Sequence, residues 1–356
     1  MTGDDAPRPG RLRRAGGWTR RRADPKIIIP IAVTLGLIGY VSVIASGPKS
    51  GAEIWHILQR TWWVVLLLTI PYIAARAFLW RELLVQLGLD VPWRPALVTL
   101  AGGEIAKTFP GGIYVQNYLL ARLEGFGELP VVRSTLATTA FLAFESLLAL
   151  PVAVLIGMPH TPWLPYALLG LVAVWLGVLL LLRLVVHYWE FHLAPGTPRW
   201  LRRALTIADE FLEAAAELFT WRTARALIPA AVYMLVYVGE LYLIAGAVGV
   251  HSISFAQTMG IYAIVVLTVI LVPVPAKLGT TELTGLTAFV AYGIPEPTAA
   301  IIMLGLRLLG TGMTMLLAGA ILFALRGEFR APPGGACATG DQPTAVDGWQ
   351  PQAADD

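Results

Sequence analysis

The chain has 356 residues, 56% of them hydrophobic and 14% charged, with a mean hydropathy of +0.68 and a formal net charge of +3. These values exclude an ordinary soluble protein of this length and point to an all-α polytopic membrane protein; a β-barrel would need short alternating strands, and none are visible. The single cysteine, Cys337, lies in a polar stretch, so disulfides and a cysteine metal site are excluded and neither metal nor cofactor is expected.

In chain order, residues 1–25 are rich in Pro, Gly and charge and are expected to be a disordered basic tail. Arg8, Arg11, Arg13, Arg14, Arg20, Arg21, Arg22 and Lys26 precede the first apolar run, which by the positive-inside rule makes the N-terminus cytoplasmic and the location the cell membrane. The arginines abut a span and carry no aromatic platform, which argues against nucleic acid as their partner. A full-length apolar run after a long basic region favours an uncleaved anchor over a cleaved signal.

A transmembrane domain is expected over 26–326. Apolar runs able to cross about 30 Å of hydrocarbon occur near 27–46, 62–80, 134–157, 165–186, 226–249, 255–274 and 299–325. The segment 95–109 is too short, about 22 Å as helix, and carries Glu104 and Lys107. It reads as the first arm of a re-entrant hairpin, 95–122, turning at Pro110-Gly111-Gly112. The polar stretch 187–225 suggests a cytoplasmic surface helix, with 199–219 a docking place for a partner protein. Residues 327–356 read as a second disordered tail.

Pro110 and Pro275 are 165 positions apart, as are Pro130 and Pro295, so two hairpins interrupt the apolar pattern at matching places. Counted from a cytoplasmic N-terminus they enter from opposite faces: about six full spans plus two re-entrant hairpins in an inverted repeat, with a substrate site at the repeat interface. The segment 255–274 is long enough to cross alone, which would move the C-terminus outside.

Eight ionisable residues fall within the apolar segments: Arg76, Lys107, Lys277 and Arg307 against Glu104, Glu145, Glu240 and Glu282. At about 2.5–3.5 kcal/mol each on insertion scales, unpaired they would cost more than a typical folding free energy, so they must pair, snorkel or face a polar cavity. Helical spacing collects them into stripes: Ser134, Thr138 and Glu145 on one helix, Tyr233, Tyr237 and Glu240 on another, Arg307, Thr311 and Thr314 on a third. Helices starting after Gly111-Gly112 and after Lys277-Leu278-Gly279 would offer unpaired N–H groups to an anionic headgroup, with Gln116, Asn117, Thr280, Thr281 and Glu282 adding hydrogen bonds. Each of these residues also has a purely structural reading, as an ion pair that fixes the bundle or as a helix cap.

PGGIYVQNYLL (110–120), AFESLLAL (143–150), VPVPAKLGTTE (272–282), GIP (293–295) and GLRLL (305–309) together resemble the lysylphosphatidylglycerol synthase transmembrane family over nearly all of 27–325. The resemblance implies a flippase-like membrane domain, which in bifunctional synthases accompanies the enzyme that makes aminoacylated phospholipid, and in stand-alone relatives is linked to hopanoid or other polyisoprenoid lipids. Pro110, Gly111, Glu145, Pro275, Gly279, Glu282 and Arg307 match the family pattern. Ala276-Lys277 replaces a common glycine pair, and Gln116-Asn117 stands where a charged residue is common, so headgroup preference is expected to differ. The soluble aminoacyl transferase domain is not expected within 327–356, and no enzyme activity is expected.

The expected function is translocation of an anionic or polyisoprenoid-linked lipid, its headgroup in a cavity lined by Arg76, Glu104, Lys107, Gly111, Gly112, Asn117, Glu145, Glu240, Lys277, Glu282 and Arg307. GxxxxGK[ST] is absent, so movement follows a gradient or is coupled to ions. A transporter of a soluble anion and a non-catalytic partner of a lipid-modifying enzyme are the alternatives. A membrane transferase using a carboxylate base is opposed by the lack of HExxH, GxSxG or clustered His and Asp. Oligomeric state is left open.

Overall fold

The computed structural model describes residues 50–107, 112–123, 128–156, 221–271 and 279–328, with scattered positions between 166 and 206. The described residues form helices joined by short turns, with no strand among them: α1 (Ser50–Gln86), α2 (Trp93–Ala106), a 3-10 turn (Gly112–Tyr114), α3 (Val115–Leu123), α4 (Glu128–Ile156), α5 (Trp221–Ala247), α6 (Phe255–Leu271), α7 (Thr280–Ala291), α8 (Glu296–Leu306), a π turn (Arg307–Thr311) and α9 (Gly312–Ala324). The expected tails, the runs 27–46 and 165–186, the surface helix 199–219 and the hairpin tips with Gly111 and Lys277 lie outside the described residues, the scattered positions and the last turn to Glu328 apart.

Length and apolarity single out four spans among the described residues: Gln59–Gln86, Val131–Ile156, Ala224–Ala247 and Glu296–Ala324. Their outward faces carry Leu67, Ile70, Phe78, Leu147, Leu155, Ile228, Leu235, Leu316 and Phe323, all exposed. In water such a surface would drive association; in a bilayer it meets acyl chains, and the protein is a multi-pass membrane protein. The last span is continuous because α8, the π turn and α9 follow without a break. α6 is described over 17 residues, about 26 Å of helix, and residues 272–278 that follow it lie outside the described ones.

The packing is reciprocal. α1 and α5 make the most extensive contact and form the centre; α2 packs on α9, and α6 packs on α4. α2 folds back on α3, and α6 on α7, so two short helical hairpins flank the central pair. Close approach within the first hairpin depends on small residues. A Cβ on Gly102 would run into Leu119, one on Gly103 into Gln116, and one on Gly112 into the Ala106 carbonyl, which as backbone cannot yield. Trp80, fully buried, ties α1 to α2 by donating its indole N–H to the Thr99 hydroxyl at 3.1 Å.

Candidate functional site

Four buried carboxylates come from four different helices, Glu104 of α2, Glu145 of α4, Glu240 of α5 and Glu282 of α7. α1 carries Arg76, and the pattern Tyr72-x-x-x-Arg76 places a phenol one turn before a guanidinium, so Arg76 donates to the Tyr72 hydroxyl at 3.2 Å. Arg76 Nη2 lies 3.0 Å from Glu104 of α2, and Nη1 lies 3.4 Å from Glu145 of α4. Rings close the remaining sides: the guanidinium carbon sits 4.5 Å from the Phe141 centroid, 5.1 Å from Tyr233 and 5.3 Å from Tyr72. Tyr233 and Phe141 stack at 5.4 Å, and Tyr72 meets Tyr233 edge-on at 6.0 Å. Arg76 is thus largely enclosed, its side chain 13% exposed, with both terminal nitrogens engaged and Nε without a hydrogen bond among the described residues. It joins α1, α2 and α4, a buried charge made tolerable by two counter-charges.

Lys107 follows α2 as its C-cap and pairs with Glu104 three residues earlier. A cation there also complements the carbonyl end of the helix. Unlike Arg76 it keeps 31% of its side chain exposed. Arg307 does the same at the end of α8: its Nε lies 3.5 Å from Glu282 of α7, and its side chain is 28% exposed. Each partly open cation is therefore anchored by a carboxylate that is itself only 3% exposed. Glu240 of α5 completes the set. It is buried and accepts a long, 3.5 Å bond from the Thr69 hydroxyl, with no ion pair among the described residues. Aromatic contacts run from α1 through α5 to α6, Tyr72 to Tyr237 at 6.1 Å and Tyr237 to Tyr262 at 5.1 Å.

Two expectations about hydrogen-bonding groups change. Asn117 and Gln116 are engaged by a neighbouring helix: Gln116 donates to Thr138 at 2.9 Å, Asn117 Oδ1 accepts from the same hydroxyl at 2.8 Å, and Asn117 Nδ2 reaches Thr135 at 3.4 Å. Both amides fasten α3 to α4, because a polar side chain in an apolar segment takes the first partner that relieves its burial. The start of α7 is likewise engaged from within. Gly279, at φ 83°, precedes the helix, and its N–H donates to the Glu282 carboxylate at 2.7 Å, so the cap comes from Glu282 and that N–H is not open to a ligand. Gly112 closes the first hairpin against Ala106.

Arg76, Glu104, Lys107 and Glu145 form one connected cluster, and Glu282 with Arg307 a second. Sequence reasoning missed Phe141, Tyr72 and Thr69 as parts of this region. Tyr72 at four residues before Arg76 was the available signal; Phe141 carries none, being an ordinary span residue.

No curated protein matches the sequence. The family model described as lysylphosphatidylglycerol synthase TM region matches residues 27–318, and with the helical membrane fold and its two charged clusters in view, the chain belongs to that family.

Proposed function

We propose that this protein translocates an anionic lipid across the cell membrane, with the headgroup held by Lys107 and Arg307. The observation that carries the reading is the division of labour among the cations. Arg76 is enclosed by two carboxylates and three rings, whereas Lys107 and Arg307 each keep roughly a third of the side chain open while a buried glutamate holds the base of the charge in place. Such a cation can exchange a water-facing hydrogen bond for one to phosphate without losing its counter-charge, which is what transient binding along a path requires. Lys277, which lies outside the described residues, is a further cation expected to meet the headgroup. The acyl chains would remain beside the exposed apolar faces. No covalent step is needed, and we assign none.

The same reading takes the fold as an inverted repeat. The 165-position offset between the paired prolines carries α2 onto α6, α3 onto α7 and α4 onto the α8–α9 span, and the crossed packing of α2 on α9 and α6 on α4 is what a two-fold relation between halves would produce. We read α2–α3 and α6–α7 as re-entrant from opposite faces, with the arginine-rich start of the chain in the cytoplasm. A partner at 199–219 is compatible with this arrangement.

The test is a dithionite-quenching assay of fluorescent phosphatidylglycerol and phosphatidylcholine in liposomes containing the full chain. Movement of the anionic lipid faster than the zwitterionic one, lost in Arg307→Ala, is expected. Equal movement of both lipids, or none with uptake of a soluble anion instead, would replace the lipid reading with a non-selective or soluble-substrate one.

A further inference from the structure

Among the described residues, which do not include Lys277, the charges within the membrane do not balance. In that set Arg76, Lys107 and Arg307 face Glu104, Glu145, Glu240 and Glu282, and the ion pairs assign every cation to a carboxylate other than Glu240. Glu240 is 2% exposed, and its single hydrogen bond, from the Thr69 hydroxyl at 3.5 Å, is long for a bond to an ionised carboxylate. Thr69 has a closer use for its proton, donating to the Val65 carbonyl at 2.7 Å. An ionised carboxylate so poorly solvated would cost several kcal/mol, and that cost vanishes when the group is neutral.

Glu240 is packed closely against the last span. Its Oε2 lies against Gly310, where a Cβ would come within 3.1 Å, and Gly310 belongs to the π turn that Arg307 opens. π turns interrupt the regular ladder and occur often at functional positions. Of the elements packed on α5, α1 brings Tyr72, α4 brings Glu145 already bound to Arg76, α6 brings Tyr262 beside Tyr237, and α8 with the π turn brings Arg307 bound to Glu282. Lys107 borders the same group of rings: its ammonium stands over the Tyr72 ring at 5.9 Å, and Tyr72 packs against Tyr237, three residues before Glu240 on α5.

We propose that Glu240 is the proton-binding site of the translocation path, taking up one proton as the anionic headgroup binds Lys107 and releasing it as the headgroup leaves. The proposal rests on the lipid-translocation reading above and adds its coupling ion. With Glu240 neutral, the described cluster carries no net charge and Lys107 is free to meet phosphate. With Glu240 ionised, the cluster carries one negative charge, Lys107 is drawn toward it, and an anion is repelled. Proton and headgroup therefore bind together, as linkage requires when each relieves the other's charge. The proton adds to a carboxylate oxygen of Glu240 and leaves from it; no other bond changes.

The experiment has two readouts on the full chain in phosphatidylcholine vesicles. Infrared difference spectra across a pH titration report the protonated carboxyl band, and the fluorescent phosphatidylglycerol assay is run with and without a pH gradient. We expect a carboxyl band that titrates in the wild type and is missing in Glu240→Gln, together with lipid movement that accelerates when the headgroup and proton share a downhill direction and becomes indifferent to the gradient in Glu240→Gln. Glu296→Gln, at the exposed start of α8, keeps the wild-type band and gradient response. A band that persists at every pH, or one unchanged in Glu240→Gln, overturns the proton site. Lipid movement in the wild type that ignores the gradient overturns the coupling. A titrating Glu240 band in a wild type that moves no lipid keeps the proton site but removes the translocation reading and the coupling built on it.

Discussion

Arg76 and Glu104 meet at 3.0 Å across the contact between α1 and α2, and Glu104 in turn holds Lys107, so one buried carboxylate links a largely enclosed cation to a half-open one. The two bonds have different consequences on removal, and that difference separates stability from transport.

Arg76→Gln leaves Glu104 and Glu145 buried with one cation fewer, and the amide cannot fill the space among Phe141, Tyr72 and Tyr233. Breaking a buried pair by deleting one partner costs about 3–5 kcal/mol. The variant is expected to show a lower unfolding temperature in detergent and poor membrane yield, whereas Glu145→Gln, which leaves Arg76 with Glu104, loses less. An unfolding temperature for Arg76→Gln equal to wild type would mean that the aromatic cage, not the ion pairs, carries this junction.

Thr138 joins α3 to α4 through both Gln116 and Asn117. Thr138→Val keeps the shape but strands two buried amides, each unsatisfied group costing about 1–3 kcal/mol. A double-mutant cycle of Thr138→Val with Asn117→Ala, read by thermal unfolding, should give a coupling energy of about 0.5–3 kcal/mol, as for residues in one hydrogen-bonded network. Additive losses would show that Asn117 is held chiefly by its other partner, Thr135, and not by Thr138.

What the sequence reveals about this region follows from what burial in a membrane makes expensive. The spans containing Arg76, Glu145, Glu240 and Arg307 are legible because long apolar runs have few other uses, and the charges stand out because each carries an insertion penalty. The pairings are not legible: Arg76 and Glu145 are 69 residues apart, and nothing local distinguishes Glu145 from Glu240 as its partner. Asn117 shows a related limit. Polarity in an apolar run announces that a partner exists but not its direction, and here the partner is a neighbouring helix. The π turn at Arg307–Thr311 is equally hidden, because GLRLLGTG reads as ordinary helix with three glycines, and nothing local marks where its ladder widens beside the buried Glu240.

Gly112 offers a test of the first hairpin. A methyl group there collides with the Ala106 carbonyl, and neither backbone can move without separating α2 from α3. Gly112→Ala should cost about 1–3 kcal/mol, the usual penalty for overpacking. Gly319→Ala, on α9 with open space around it, should be near neutral and serves as the control. Equal unfolding temperatures for the two variants would show that the hairpin tip accommodates a side chain by rearranging.

The two half-open cations should respond unlike Arg76. Arg307→Ala removes a charge that is 28% exposed, leaving Glu282 still capping Gly279 through its second oxygen, so the fold retains a role for that carboxylate. Its unfolding temperature is therefore expected to fall less than that of Arg76→Gln, while movement of phosphatidylglycerol drops at least tenfold, the effect of losing about 1.4 kcal/mol of headgroup interaction in a path where a charged hydrogen bond contributes about 1.5–3 kcal/mol. Arg307→Lys restores charge without the planar fork and should recover part of the rate. Lys107→Ala is expected to lower movement in the same sense, and Lys107→Arg to preserve it, because Glu104 can pair with either cation. If Arg307→Ala and Lys107→Ala both moved phosphatidylglycerol at the wild-type rate while remaining folded, the headgroup would have to travel along a different surface, and the exposed fraction of these two side chains would reflect only their position near the water interface.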